Sequence, residues 1–172
     1  MRQSEIMSTF AEEIVINYSN INKNMEDIAI ELARLHILKG ADFVKQLKQI
    51  TSFSGFKPVE GEEGIYTMGG ENSEDYENLL DAARKAVSFG YRVFILPNPK
   101  GIRTADFIFE RKGVYKMFDL KTVTGYGSVD SRLSESVGQT NRVLLNIVAN
   151  YNPGTLARSI KRYFYLILTP WR

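Results

Sequence analysis

The stretch T-A-D-F-I-F-E-R-K-G-V-Y-K-M-F-D-L-K, residues 104–121, constrains the fold of this chain more than any other. Two runs rich in aromatic and β-branched residues flank Lys112-Gly113, a dipeptide suited to a two-residue β-turn. TADFIF (104–109) and VYKMFDLK (114–121) therefore read as the two strands of an antiparallel hairpin. If Lys112-Gly113 is the loop, Arg111 pairs with Val114, and counting outward sets Asp106 opposite Asp119. Directly opposed residues share one face of a sheet, with Cβ atoms ~5 Å apart. Lys121, two residues past Asp119, returns to that face, while Phe107, Phe109, Phe118 and Leu120 alternate to the other and form an apolar backing.

Two carboxylates that close repel unless a cation joins them. A hard divalent ion such as Mg²⁺ prefers oxygen ligands and keeps several waters. Such an ion can bind a phosphate oxygen and stabilise the charge that develops when a phosphodiester is displaced. The expected site is therefore Asp106 and Asp119 holding Mg²⁺, with Mn²⁺ and Zn²⁺ as alternatives, and Lys121 serving the attacking water. Glu77 is the best third acid. It opens the helix before the first strand of the second half, at the edge of that helix's buried stripe, from where it can lean over the carboxylates.

The rest of the chain divides into three. Residues 1–50 read as a helical N-terminal segment: Ile6, Phe10, Ile14 and Tyr18 fall on one helix face, Met25 to Ile37 suggest a second helix ending at Gly40, and Phe43, Val44, Leu47 and Ile50 a third. His36, the lone histidine, reads as a residue of the second helix's last turn, where a positive charge suits the dipole. Residues 51–72, rich in Gly, Ser and Glu, read as a linker. Residues 73–172 predict a mixed α/β domain: a helix from Ser73 to Gly90, strands at 91–96, 104–109 and 114–121, a helix over 131–141, a strand at 142–148, a helix over 155–162 and a closing strand at 163–168. The fold class is thus α/β, a mixed sheet flanked by helices.

Charge points to a partner. Residues 1–72 carry seven basic and eleven acidic residues, and residues 73–172 fifteen and nine, which together return the net +2. A basic second half suits nucleic acid. Cysteine is absent and there is one histidine, which excludes disulfides, thiolate sites and multi-histidine zinc sites. There is no P-loop and no Gly-x-Ser-x-Gly, and Gly125-Tyr126-Gly127 lacks the context of a dinucleotide fingerprint. No apolar run is long enough for a membrane span, and the first residues, with acids among the apolar positions, do not read as a secretory leader.

The order of strand-borne Asp, turn and strand-borne Asp-x-Lys resembles the PD-(D/E)xK nuclease superfamily. E-N-L-L-D-A-A-R-K-A-V-S-F-G-Y-R-V is similar to its acid-bearing helix, Gly-Tyr and first strand, and G-Q-T-N-R-V-L-L-N-I resembles a narrower group, the C-terminal nuclease toxins of contact-dependent inhibition proteins. The resemblance spans about residues 73–168. It implies that Glu77, Asp106, Asp119 and Lys121 are the family's helical acid, Asp, Asp/Glu and Lys. It also implies that Gln139 matches a helical Gln, and that Asn141 and Arg142 contact substrate; apart from the resemblance, Arg158 stands with Lys161 and Arg162 in a basic cluster on the last helix that can hold substrate phosphates. Members of the narrower group typically cut tRNA and are blocked by a cognate immunity protein. The implied substrate is therefore RNA, tRNA first and DNA as the alternative, cut in the cytoplasm of a target cell after delivery as part of a secreted toxin. Thr104-Ala105 replaces the family's usual Pro before the first Asp, and the N-terminal helices have no counterpart.

Two other readings use the same residues. A nucleic-acid-binding module of this fold without turnover keeps the basic surface, and Arg158, Lys161 and Arg162 then hold phosphates. A protein-interaction domain from a phage or mobile element uses the N-terminal helices, with Ile6, Phe10 and Ile14, to dock a partner.

Overall fold

The computed structural model describes residues 25–35, 38–53, 55–69, 74–99, 101–102, 104–125, 128–136 and 142–168. The elements run α1 (Met25–Arg34), α2 (Gly40–Thr51), β1 (Lys57–Pro58), β2 (Ile65–Thr67), α3 (Tyr76–Ser88), β3 (Arg92–Ile95), β4 (Phe107–Arg111), β5 (Val114–Val123), α4 (Ser128–Glu135), β6 (Val143–Ile147) and α5 (Pro153–Leu168). Among the described residues the fold is α/β: one mixed six-stranded sheet in the order β1-β2-β3-β4-β5-β6, flanked by five helices. β3, β4 and β5 form an antiparallel meander, and β2 runs parallel to β3, as β6 does to β5. The two parallel joints need crossovers, which α3 and α4 supply.

The β4–β5 hairpin has the expected register, Arg111↔Val114 through Phe107↔Phe118. Its turn places Lys112 at φ 52° and Gly113 at φ 77°. Two positive φ values in a two-residue loop match the twist of the strands and require glycine, or a strained residue, at each position. Gly113 N–H also donates to Glu110 Oε1 at 2.8 Å.

α3 carries an apolar stripe of Tyr76, Leu80, Ala83 and Ala86. It ends at Gly90, whose φ of 84° lets Gly90 N–H reach the Val87 carbonyl (2.8 Å) and Tyr91 N–H reach that of Ala86 (3.3 Å). This helix covers one face of the sheet, over Ile65, Val93, Ile95, Phe107 and Phe109. Phe118, Leu120 and Leu144 lie partly buried beside it. The expected aromatic layer is real: the rings of Phe107 and Phe109 are 5.4 Å apart and those of Phe109 and Phe118 4.8 Å.

Side-chain alternation puts Ile108, Tyr115 and Met117 on the opposite face, the one that bears the acids. That face is also core. Ile28, Leu32, Leu35, Leu47 and Ile50 of the N-terminal helices pack there against Phe94, Leu96, Ile108 and Met117. Further along, Val129 and Leu133 of α4 and Tyr163 of α5 cover Val123, Val143, Leu145 and Ile147.

Four expectations are corrected. α1 and α2 are not a segment set apart from the domain, because their apolar faces close the acid-bearing side of its sheet. Residues 51–72 are not a linker: β1 and β2 lie there and extend the sheet beyond β3. Gly40 begins α2 instead of ending α1. Residues 163–168 do not form a closing strand but continue α5, so the sheet ends at β6. The expected first helix at Ile6–Tyr18, His36, and the residues around Gln139 and Asn141 lie outside the described residues. Among the described residues no helix is long and apolar enough to cross a membrane.

Candidate active site

Asp106 sits one residue before β4, where regular pairing stops. Its N–H donates to the Phe118 carbonyl (3.0 Å) and its carbonyl accepts from Leu96 N–H (2.9 Å), so neighbours on both sides hold its backbone. Its carboxylate Oδ2 accepts from Leu120 N–H at 2.7 Å. The side chain thus adds a second bond to β5 beside that of the backbone, which fixes where the carboxylate points.

Asp119 lies in the middle of β5 and is 2% exposed. Its N–H donates to the Arg142 carbonyl (3.0 Å), tying it to the start of β6. Its Oδ2 accepts from the Ser136 hydroxyl at 2.8 Å and lies 3.2 Å from Lys121 Nζ. Ser136, fully buried just past α4, is a partner that sequence reading missed. A buried serine at the end of a helix carries no catalytic signature, and only the return of α4 onto the acid face reveals it.

The two carboxyl groups are near enough to act on each other's charge. Burial, above all, lifts the Asp106 carboxyl to about 7; the Leu120 N–H pulls it down, the charge and hydrogen bond of Asp119 push it up, and Lys121 opposes them. Near neutrality the Asp106 carboxyl therefore sits at the edge of ionisation, because burial and the neighbouring Asp119 charge both oppose a second anion there. Burial first, and then the Asp119 charge, also hold the Tyr163 hydroxyl above its ordinary range, which places that phenol near the same acid.

Asp106 and Lys121 open into a cavity of about 390 Å³. Its walls are the first turn of α3 (Asp75, Tyr76, Asn78, Leu79), the end of β3 and the segment after it (Ile95, Leu96, Asn98), β5 and its exit (Leu120, Thr122, Thr124), and Arg132 of α4. The acids are thus recessed beneath helices, not displayed on an open hairpin surface. A concave site with apolar walls and a few converging polar groups is the usual form of a small-ligand or active site.

The other expected site residues fare differently. Glu77 is exposed in the first turn of α3, and its charge acts on Arg84, two turns along the helix. The cavity is lined instead by its neighbours Tyr76 and Asn78. Among the described residues no three acidic or histidine side chains cluster closely enough to hold a metal, so Glu77 does not complete a set with Asp106 and Asp119. The reason is helical phase: Tyr76 and Leu80 turn inward, and the residue after Tyr76 turns out.

Arg142 is exposed, stands about 6.0 Å over the Phe43 ring and does not line the cavity. Arg158, also exposed, donates to Thr155 Oγ1 at 3.1 Å on α5 and is likewise outside the cavity lining. Arg162 pairs with Asp130 at 3.2 Å. Gln139 and Asn141 fall outside the described residues.

Two carboxylates from adjacent strands are a donor set of hard oxygens, and the repulsion between them is the kind a divalent ion relieves. Asp106 and Asp119 therefore fit Mg²⁺ or Mn²⁺ better than Zn²⁺, which favours nitrogen and sulfur donors. Comparison of the chain with family models, with curated proteins and with solved structures finds no match.

Proposed function

We propose that this chain is a metal-dependent nuclease that hydrolyses phosphodiester bonds in the cavity beside Asp106, Asp119 and Lys121. One observation carries the reading. Two carboxyl groups, Asp106 just before β4 and Asp119 within β5, stand near enough to act on each other, with Lys121 3.2 Å from Asp119, and Asp106 and Lys121 line a cavity of about 390 Å³. A purely structural role gives little reason to set two acids together, since like charges cost stability and an apolar pair of the same size fits without that cost.

The element order supports it further. α3-β3-β4-β5-α4-β6, with an Asp just before β4 and Asp-x-Lys within β5, follows the order of the nuclease superfamily that the sequence resembles.

Asp106 and Asp119 are the residues that would hold Mg²⁺ or Mn²⁺. Such an ion, when bound, supplies positive charge to a phosphate oxygen and lowers the pKa of a coordinated water. The chain's own groups do the rest. The Leu120 N–H and the Ser136 hydroxyl keep the two carboxylates in place. Lys121, with a side chain 15% exposed, has a position fixed by its ion pair with Asp119. From there its ammonium can orient a water and hold negative charge on the reacting phosphate. The helices over the acid face exclude bulk solvent, which strengthens each of these interactions.

RNA, tRNA first, is the proposed substrate, with DNA as the alternative; that preference and a cognate immunity protein rest on the resemblance alone. The test is incubation with tRNA, total RNA and DNA in Mg²⁺, Mn²⁺, Zn²⁺ or chelator, beside Asp119→Ala. Cleavage that needs metal and is lost in a folded Asp119→Ala supports the reading. Unchanged cleavage in that variant, or salt-sensitive binding with no turnover in any metal, rejects it.

A further inference from the structure

The cavity holds one cation that no part of the hydrolytic site uses. Among the described residues lining it, Lys121 and Arg132 are the two basic side chains. Lys121 is committed to Asp119. Arg132 is paired with Glu135 at 3.2 Å, three residues on along α4, and both side chains are about half exposed (48% and 47%). An exposed pair of that kind is weak and easily exchanged for a better anion.

The position of Arg132 is set by the same helix that holds the acids. Val129 and Leu133 anchor α4 in the core. Ser136, one turn beyond Arg132, donates to Asp119 Oδ2 and lies 3.3 Å from the Arg132 carbonyl. Residues four apart share a helix face. The helix whose end steadies Asp119 therefore also brings Arg132 to the cavity wall. Thr122 of β5 and Thr124 just past it also line the cavity, and offer hydroxyl donors.

We propose that Arg132 is a substrate-binding residue: its guanidinium leaves Glu135 and clamps a phosphate of the nucleic-acid strand whose reacting phosphodiester lies at Asp106 and Asp119. The inference rests on the nuclease reading and adds a phosphate subsite to it. A guanidinium suits the task because its planar fork of N–H groups meets two phosphate oxygens at once, which an ammonium cannot do. Glu135 holds the side chain near the cavity mouth until a phosphate replaces it.

The experiment measures binding in chelator, where the metal-dependent reaction is off, using a fluorescein-labelled RNA oligonucleotide and the DNA of the same sequence, by fluorescence anisotropy over a range of salt. Loss of a charge-assisted contact predicts a Kd about tenfold or more weaker for Arg132→Ala. The slope of log K against log salt should fall by about one phosphate contact. In cleavage with Mg²⁺, KM should rise by the same factor and kcat stay within about twofold, as for a contact made equally in ground and transition states. Arg132→Lys should recover part of the affinity, and Glu135→Gln should bind at least as well as the parent, because it removes the competing carboxylate.

An Arg132→Ala protein with the parent's Kd and salt slope overturns the proposal, as does one whose kcat falls while both stay unchanged. Failure of the two readings is distinguishable. Cleavage that proceeds indifferently to Arg132 sinks the subsite alone. Arg132-dependent binding without turnover in any metal sinks the nuclease reading and leaves the phosphate site standing. No binding to either oligonucleotide sinks both.

Discussion

Replacing Asp106 by Asn should stabilise the metal-free protein at alkaline pH and leave its stability almost unchanged near pH 4. The folded carboxyl titrates at about 7, against 3.8 for an ordinary aspartate. Below 3.8 the group is protonated whether the chain is folded or not, and it contributes nothing. Between the two values the folded state keeps a proton that the unfolded state releases, so stability falls as pH rises, by about 1.4 kcal/mol for each pH unit. Above 7 the group is ionised in both states and the whole cost is present. The gap of about three pH units corresponds to a ceiling of about 4 kcal/mol. Asn removes that cost and keeps the contacts: its amide oxygen can accept from Leu120 N–H and its amide nitrogen can donate to Asp119. Urea denaturation in chelator at pH 4, 6 and 8 reads the result directly, as a midpoint difference between variant and parent that grows with pH. At pH 8 a gain of about 2–4 kcal/mol is expected. A difference that does not change with pH, or a variant less stable than the parent at pH 8, refutes the account of how these two acids share their site.

Other expectations follow from single contacts. Ser136→Ala removes a buried hydroxyl donor from a carboxylate and should cost about 1.5–3 kcal/mol in urea denaturation. Phe107→Ala empties a fully buried ring position between α3 and the sheet and should cost about 3–5 kcal/mol by the same measurement. Gly113→Ala meets open space but must adopt a φ of 77°, so it should lose about 1–2 kcal/mol from backbone strain alone. Deleting residues 1–52 strips α1 and α2 from Phe94, Leu96, Ile108 and Met117, and the remainder should fail to show cooperative thermal unfolding by circular dichroism; a cooperative transition there would show that the helices are dispensable.

How far the sequence can be read depends on how local the determining physics is. The hairpin was legible because a two-residue turn fixes register, and register fixes which side chains share a face; Asp106, Asp119 and Lys121 follow from Lys112-Gly113 by counting. The burial of that face was not, although the signal was present. Ile108, Tyr115 and Met117 alternate with the acids on the same side, so both faces of the hairpin carry apolar residues, the mark of a sheet covered on both sides. β1 and β2 were hidden because strands of two and three residues show no periodicity, and Gly and Glu around them read as loop. Tyr-Phe-Tyr-Leu-Ile-Leu has strong β propensity, yet Leu156, Ser159 and Tyr163 recur at helical spacing, and the helix begun at Pro153 runs through it. Ser136 and Arg132 depend on a crossover helix returning over the acid face, a tertiary event with no local trace.

The most direct test of the shared site is calorimetric titration of Mn²⁺ into the protein at pH 6, run in two buffers of different ionisation heat and repeated with Asp106→Asn and Asp119→Asn. One binding event that releases protons in the parent, and is lost in both variants, is the result expected if a metal ion held by Asp106 and Asp119 displaces the proton that Asp106 carries below pH 7. Binding that survives in both variants, or no heat from the parent at millimolar Mn²⁺, contradicts it.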